Sequence, residues 1–236
     1  MILKKLKINC GIKGKIVSTR DCISCGLCLP PPILKKLFEG VEFQPNQYGI
    51  TELVSPCLRK SYFTRKYWDR AYTLQDLYIL GRGKAFHSWF NEFFSLNEVK
   101  LVKHFKNFNI IGIVDAIEQT KEGIIMYEIK SVSKPVTAPY PHHTKQLQGY
   151  YSLAKETMEI DKLRLIYLSM NKFSVFDVKK VDITKWLYNR AKKLHNSIIK
   201  NKVPEIEDRT LCFFCPFKAM CELTESVEKF KDESIA

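Results

Sequence analysis

The eight cysteines of this 236-residue chain fall into two groups of four, and residues 58–211 contain none. Cys10, Cys22, Cys25 and Cys28 crowd the first 28 residues, whereas Cys57 stands at one end of the cysteine-free stretch and Cys212, Cys215 and Cys221 at the other. A metal or cluster joining Cys57 to the terminal triplet would pin the end of the chain against the start of its core and reduce the entropy of the unfolded state, as a long-loop crosslink does. The stretch between reads as the catalytic or binding core, with cysteine-rich material closing it at each end. The N-terminal Met1-Ile2-Leu3-Lys4-Lys5 has no uninterrupted apolar region and no small-residue cleavage site, so no signal peptide and a cytoplasmic location are expected. In that compartment clustered cysteines hold metal more often than they form disulfides.

Within the core the hydrophobic period changes along the chain. Pro30-Pro31-Pro32 opens a stretch to Pro56 that reads as a linker. A helix follows from Cys57 to about Tyr72, rich in cations and aromatics such as Arg59, Lys60, Tyr62, Arg65, Trp68 and Arg70. A second starts after Gly81-Arg82-Gly83, with Phe86, Phe90, Phe93 and Phe94 facing inward. Val99–Phe105, Asn109–Glu118 and Gly123–Val132 then read as strands of a meander. Residues 142–158 return to a helical period through Leu147, Tyr151, Ala154 and Met158. Two more strands, 163–170 and 173–181, precede a last long helix from Thr184 to Lys200. This order predicts an α/β (α+β) fold, a mixed sheet flanked by helices. Its expected divisions are a cysteine-rich extension over residues 1–45, a core over 46–205 and a C-terminal segment and tail over 206–236.

Thirty-eight Lys and Arg against 25 Asp and Glu leave a formal charge of +13. An excess of that size favours polyanionic partners such as nucleic acid. A membrane is disfavoured because no apolar run approaches the roughly 18 residues of a spanning helix. The 45% hydrophobic and 27% charged residues exclude a disordered or fibrous chain.

Against that cationic background, a few carboxylates stand out. Asp115 ends the apolar run Ile111-Gly112-Ile113-Val114, and thirteen residues on, Tyr127-Glu128-Ile129-Lys130 puts a carboxylate and an ammonium on one strand face. If the strands are neighbours, Asp115 meets that face. Two converging carboxylates suit Mg²⁺ or Mn²⁺, and such an ion would polarise a phosphodiester and lower the pKa of a bound water. Lys130 would orient that water or offset transition-state charge. A sheet-edge ion pair is the plainer reading. Gln146 and Tyr150, four apart on the next helix, project together and would contact a phosphate or base, although such a pair is also common on helix surfaces.

Taken in order, Gly83-Lys84-Ala85-Phe86-His87, Gly112-Ile113-Val114-Asp115, Glu128-Ile129-Lys130 and Gln146-Leu147-Gln148-Gly149-Tyr150 resemble the active-site motifs of RecB-type nucleases of the PD-(D/E)xK superfamily. Cys57 and Cys212-x2-Cys215-x5-Cys221 resemble the iron-sulfur version, and the fourth CRISPR-associated (Cas) protein family is the nearest likeness, over about residues 53–222. The resemblance implies a restriction-endonuclease-like core closed by a C-terminal iron-sulfur segment. It implies an Mg- or Mn-dependent DNA exonuclease that trims single-stranded ends during CRISPR spacer acquisition beside an integrase complex. It also implies that His87, Asp115, Glu128 and the carbonyl of Ile129 ligate the catalytic metal, that Lys130 is catalytic, and that Gln146 and Tyr150 position DNA.

Cys57, Cys212, Cys215 and Cys221 would hold zinc on ligand count alone; the resemblance favours a 4Fe-4S cluster, with Phe213, Phe214, Pro216 and Phe217 as its apolar shell. Cys22-x2-Cys25-x2-Cys28 resembles the opening of a ferredoxin motif, but Pro32 stands where the fourth cysteine is expected. Only Cys10 is left to complete a local site, as a second cluster, a zinc site or a redox group of thiols. Two functional alternatives stay open: an iron-sulfur nuclease of replication, recombination repair or viral origin, and a DNA-end-binding module with little hydrolysis.

Overall fold

The computed structural model describes residues 7–38, 44–67 and 71–233, with side chains except those of Asn91 and residues 227–233. In chain order, β1 (Lys7–Cys10), β2 (Lys15–Ser18), α1 (Thr19–Cys25) and α2 (Pro31–Leu37) precede β3 (Gln47–Gly49), α3 (Ile50–Leu53), α4 (Leu58–Lys66), β4 (Ala71–Tyr72) and α5 (Leu74–Asn91). The meander β5 (Leu96–His104), β6 (Asn109–Thr120) and β7 (Gly123–Ser131) is followed by α6 (Pro141–Ala154), β8 (Lys162–Leu168), β9 (Phe173–Val178), α7 (Thr184–Ile199), a 3₁₀ turn (Cys212–Phe214) and α8 (Lys218–Glu233).

The expected mixed sheet flanked by helices is present. Its path is β3-β6-β7-β8-β9, with β5 also on β6. Pairs β5–β6, β6–β7 and β8–β9 are antiparallel, whereas β7–β8 is parallel and needs the α6 crossover. Along one edge β6 is paired with β5 for nearly its whole length. Its other edge is shared: residues 109–111 pair with β3, residues 116–120 pair with β7, and no ladder pairing spans 112–115. The sheet therefore forks beside Gly112–Asp115. Leu53, Leu58, Val114, Met126, Leu147, Leu165, Leu187 and Leu194 fill the core between this sheet and the helices.

Several expectations are corrected. The stretch read as a linker carries α2, β3 and α3, because Pro31 and Pro32 occupy the first helical positions, where a missing N–H costs nothing. The second helix does not wait for Gly81-Arg82-Gly83. It starts at a capping box, in which Asp76 N donates to Thr73 Oγ1 and Thr73 N to Asp76 Oδ2, both at 3.0 Å. Gly81 lets α5 approach α2, since a Cβ there would stand 2.6 Å from Leu37 Cδ2; Phe93 is exposed rather than inward. The cationic helix ends at Lys66, and Ala71–Tyr72 instead pairs with β1. Trp68 and Arg70 lie outside the described residues, as do 1–6, 39–43 and 234–236. Finally, α8 lies beyond the helix that the sequence reading made the last.

Polar and ring contacts hold the C-terminal segment against α4. Glu207 Oε2 accepts from Leu58 N at 3.1 Å and from Arg190 Nη1 at 2.8 Å, and Arg59 Nε donates to Pro204 O at 2.6 Å. Phe217 is buried against Phe63, with ring centroids 5.8 Å apart. Glu207→Ala removes an acceptor from a helix-start N–H and from a guanidinium, so equilibrium urea unfolding should show a loss of about 1–2 kcal/mol.

Candidate active site

Asp115, Glu128, Lys130, His87, Gln146 and Tyr150 all line one open cleft of about 940 Å³ at the fork of the sheet. Where the β6–β7 ladder stops, Ile129 N donates to Asp115 Oδ2 at 2.6 Å, so the side chain takes the donor that a ladder carbonyl would have held. His87, on α5, brings its Nδ1 within 3.2 Å of Asp115 Oδ1. This bond with Asp115 raises the imidazole pKa, against the opposing effect of burial. Phe86 and Phe90 are half-buried on the same helix, but His87 turns to the carboxylate rather than to them.

Glu128 is 1% exposed. Its Oε1 is paired with Lys130 Nζ and accepts from Gln146 Nε2 at 2.7 Å. Its Oε2 is one of two side-chain N or O atoms among the described residues that are buried without a hydrogen-bond partner. Burial pushes the carboxyl up to about 7; Lys130 opposes the rise and Asp115 adds to it. Lys130 also acts on the start of α6, where burial first and then its charge hold His143 down at about 3.

Gln146 and Tyr150 are each 3% exposed; they project together, as their spacing predicts, but into the protein, so the plainer reading of a helix-surface pair does not hold. Gln146 Nε2 lies 2.7 Å from Tyr150 Oη and 3.2 Å from Thr51 Oγ1, and the amide fixes Glu128 from behind. The Tyr150 ring lies over Gly112, where a Cβ would stand 2.6 Å from Cδ1 and 2.8 Å from Cε1. Burial raises the Tyr150 pKa further, with Glu128 adding to it, so the phenol stays neutral.

Among the lining residues, Thr51 and Glu98 were not singled out from the sequence. Glu98 sits where the β5–β6 register skips a pair, between Asn97 opposite Ala116 and Val99 opposite Val114, and has φ +49, a left-handed backbone uncommon for such a residue. The lone glycine in the Ile111–Asp115 strand was the available signal for close approach by another group. Of the cationic helix, Lys60 lines the cleft. Arg59 is buried against Pro204, and Arg65 is bonded to Glu52 and Gln47 and lies 4.5 Å over the Tyr48 ring, so these two guanidinium groups hold the fold together.

A divalent ion fits this donor set. Two carboxylates and an imidazole suit Mg²⁺ or Mn²⁺, and the orphaned Oε2 of Glu128 is an acceptor that protein groups leave unused. Among the described residues, no three His, Cys, Asp or Glu side chains are closed about a common point. Each carboxylate instead holds the nearest cationic group, Asp115 the imidazole and Glu128 the ammonium.

The model of the PD-(D/E)XK nuclease superfamily matches residues 47–222. The chain belongs to that superfamily. Membership implies a metal-dependent nuclease, and the matched span contains every cleft residue named above. Among solved structures, the crystal structure of SSO0001 is similar with a TM-score of 0.60 and 23% identity, over 79% of this chain and 92% of that one. At that identity the likeness shows the fold alone. No curated protein matches the sequence. Among the described residues no helix is long and apolar enough to cross a membrane.

The nuclease's cysteines fall in two places. Cys57 precedes α4, Cys212 opens the 3₁₀ turn and Cys215 follows it, and Cys221 is in the first turns of α8, its Sγ accepting from Arg59 Nη1 at 3.6 Å. Desolvation first, then Cys215 and Cys57, raise the Cys212 pKa, with Arg209 opposing and Cys221 adding to the rise. Phe217 is buried beside them, but Phe213 and Phe214 are exposed, correcting the expected shell. Cys10, Cys22, Cys25 and Cys28 border a separate cavity.

The raised Glu128 pKa sets a pH dependence. The unfolded carboxyl releases its proton near 4.5 and the folded one near 7. Between these values the folded state binds more protons, so stability falls as pH rises. In chelator-treated nuclease the Tm should decline from about pH 4.5 to about 7 and then level off. Glu128→Gln should flatten that slope in scanning calorimetry.

Proposed function

We propose that this nuclease is an Mg- or Mn-dependent DNA exonuclease acting on single-stranded ends, with Cys57, Cys212, Cys215 and Cys221 holding a 4Fe-4S cluster. The observation that carries the catalytic part is the convergence of Asp115, Glu128, Lys130 and His87 on one cleft, with Glu128 Oε2 left without a partner. In this reading Asp115, Glu128, His87 and the Ile129 carbonyl hold the ion. When bound, the ion polarises the phosphodiester and lowers the pKa of the attacking water.

The residues of the chain do the rest. Gln146, fixed by Tyr150 and Thr51, holds the Glu128 carboxylate in one orientation. The Lys130 ammonium, released from its pairing with Glu128, offsets negative charge growing on the phosphoryl oxygens. His87 keeps Asp115 in place through its 3.2 Å contact. Lys60 and Lys84, on the cleft wall, provide phosphate contacts in line with the formal charge of +13.

The resemblance of these motifs and of the Cys57 and Cys212-x2-Cys215-x5-Cys221 pattern to the fourth CRISPR-associated family supports a role in CRISPR spacer acquisition, with DNA and the integrase complex as partners. The test uses end-labelled single-stranded and blunt duplex DNA with Mn²⁺. Mononucleotides or short fragments released first from the single strand are expected, with circular single strands resistant. Cleavage of the circle would replace exonuclease by endonuclease. For the cluster, iron and sulfide should be lost together in Cys212→Ser with Cys215→Ser; zinc in their place refutes it.

A further inference from the structure

We propose that Cys10, Cys22, Cys25 and Cys28 hold a 4Fe-4S cluster that staples the N-terminal module, independently of the nuclease reading and of the C-terminal cysteines. The module is small. The hairpin β1–β2 and parallel β4 form a three-stranded sheet, and with α1, α2 and the start of α5 they enclose, among the described residues, six buried apolar residues, Ile8, Val17, Cys22, Leu34, Phe38 and Leu77, with half-buried ones such as Ile23 and Leu37 packed on them. A core of that size is marginal without a disulfide, metal or cluster.

The four sulfur-bearing residues border one cavity of about 30 Å³, floored by Ile8, Val17, Leu34 and Leu74. They arrive from three different local structures. Cys10 closes β1, and its Sγ already accepts from Lys13 N at 3.4 Å, a bond of the kind that steadies a ligating thiolate. Cys22 and Cys25 lie three apart on α1 and so share a face. Gly26, at φ +58, donates to Cys22 O and turns the chain so that Cys28 reaches the same cavity.

The spacing favours a cluster over a single ion. Cys22-x2-Cys25-x2-Cys28 with one remote cysteine is how each cluster of a two-cluster ferredoxin is held, three ligands from the run and one from elsewhere. Pro32 replaces the run's own fourth cysteine, and Cys10 is the remote one.

The experiment uses the full chain purified without oxygen. Native alkylation with iodoacetamide, then digestion and mass spectrometry, should find Cys10, Cys22, Cys25 and Cys28 protected until the iron is removed. In parallel, Cys22→Ser with Cys25→Ser should lose about four iron and four sulfide per chain relative to wild type, while Cys212→Ser with Cys215→Ser keeps that share and the protection of the N-terminal thiols. Free labelling of the four thiols in native wild-type protein overturns the proposal, and so does loss of zinc instead of iron and sulfide. The wild-type labelling pattern decides even if a variant fails to fold.

Discussion

Asp115→Ala and Lys130→Ala should each slow metal-dependent hydrolysis of labelled DNA by about 10³-fold, roughly 4 kcal/mol of transition-state stabilisation. The two losses should have different origins. Asp115 accepts from Ile129 N and holds His87; without it, Mn²⁺ binding measured by calorimetry should weaken along with turnover. Lys130→Ala keeps both carboxylates, so Mn²⁺ should still bind while kcat falls. It also leaves the buried Glu128 charge without its ammonium, so the chelator-treated variant should melt below wild type near neutral pH. If wild-type protein with Mn²⁺ degrades DNA no faster than these variants, the hydrolytic reading fails and a DNA-end-binding module remains.

Gly112→Ala should be the most damaging small change outside the charged set. The added methyl would meet the Tyr150 ring at 2.6 Å and Ile50 Cδ1 at 3.0 Å, both buried. Neither can withdraw without disturbing the core between β6 and α6, so about 2–3 kcal/mol should be lost. At about 2–4 °C per kcal/mol for a chain of this size, the Tm should fall by about 4–12 °C. Because Tyr150 bonds Gln146, and Gln146 bonds Glu128, activity well below the Tm should also drop about 10- to 100-fold, as a displacement near 1 Å does. A variant that melts and turns over like wild type would contradict the packing of Tyr150 on Gly112.

The parts of the fold legible in the sequence were those with a long, clean period. The strands β5 to β9 and the helices α6 and α7 carry enough apolar positions to declare themselves, and Asp115 and Glu128 stood out as carboxylates in apolar strands. What escaped was short or set by tertiary contact. β3 is three residues long, and nothing in Gln47-Tyr48-Gly49 announces a parallel pairing with β6. Pro31 and Pro32 suggested a break but begin a helix. Of α8, Met220 and Cys221 pack against the core, while the charged residues beyond read like a solvated tail. The burial of Gln146 and the arrival of Thr51 beside it depend on a contact 95 residues apart, which no local pattern encodes.

The fork in the sheet also bears on when in the life of the chain this chemistry is available. Thr51 comes from the segment after β3, Asp115 from β6, and Glu128 from β7, and the three meet only after both strands have docked on the same edge of β6. Closing those long loops comes late relative to forming the local meander. A chain emerging from the ribosome can form β5, β6 and β7 before α6 exists, but it then has no Gln146 to fix Glu128. Hydrolysis is therefore withheld until the core is whole, and the specific activity of a preparation counts its fully folded molecules.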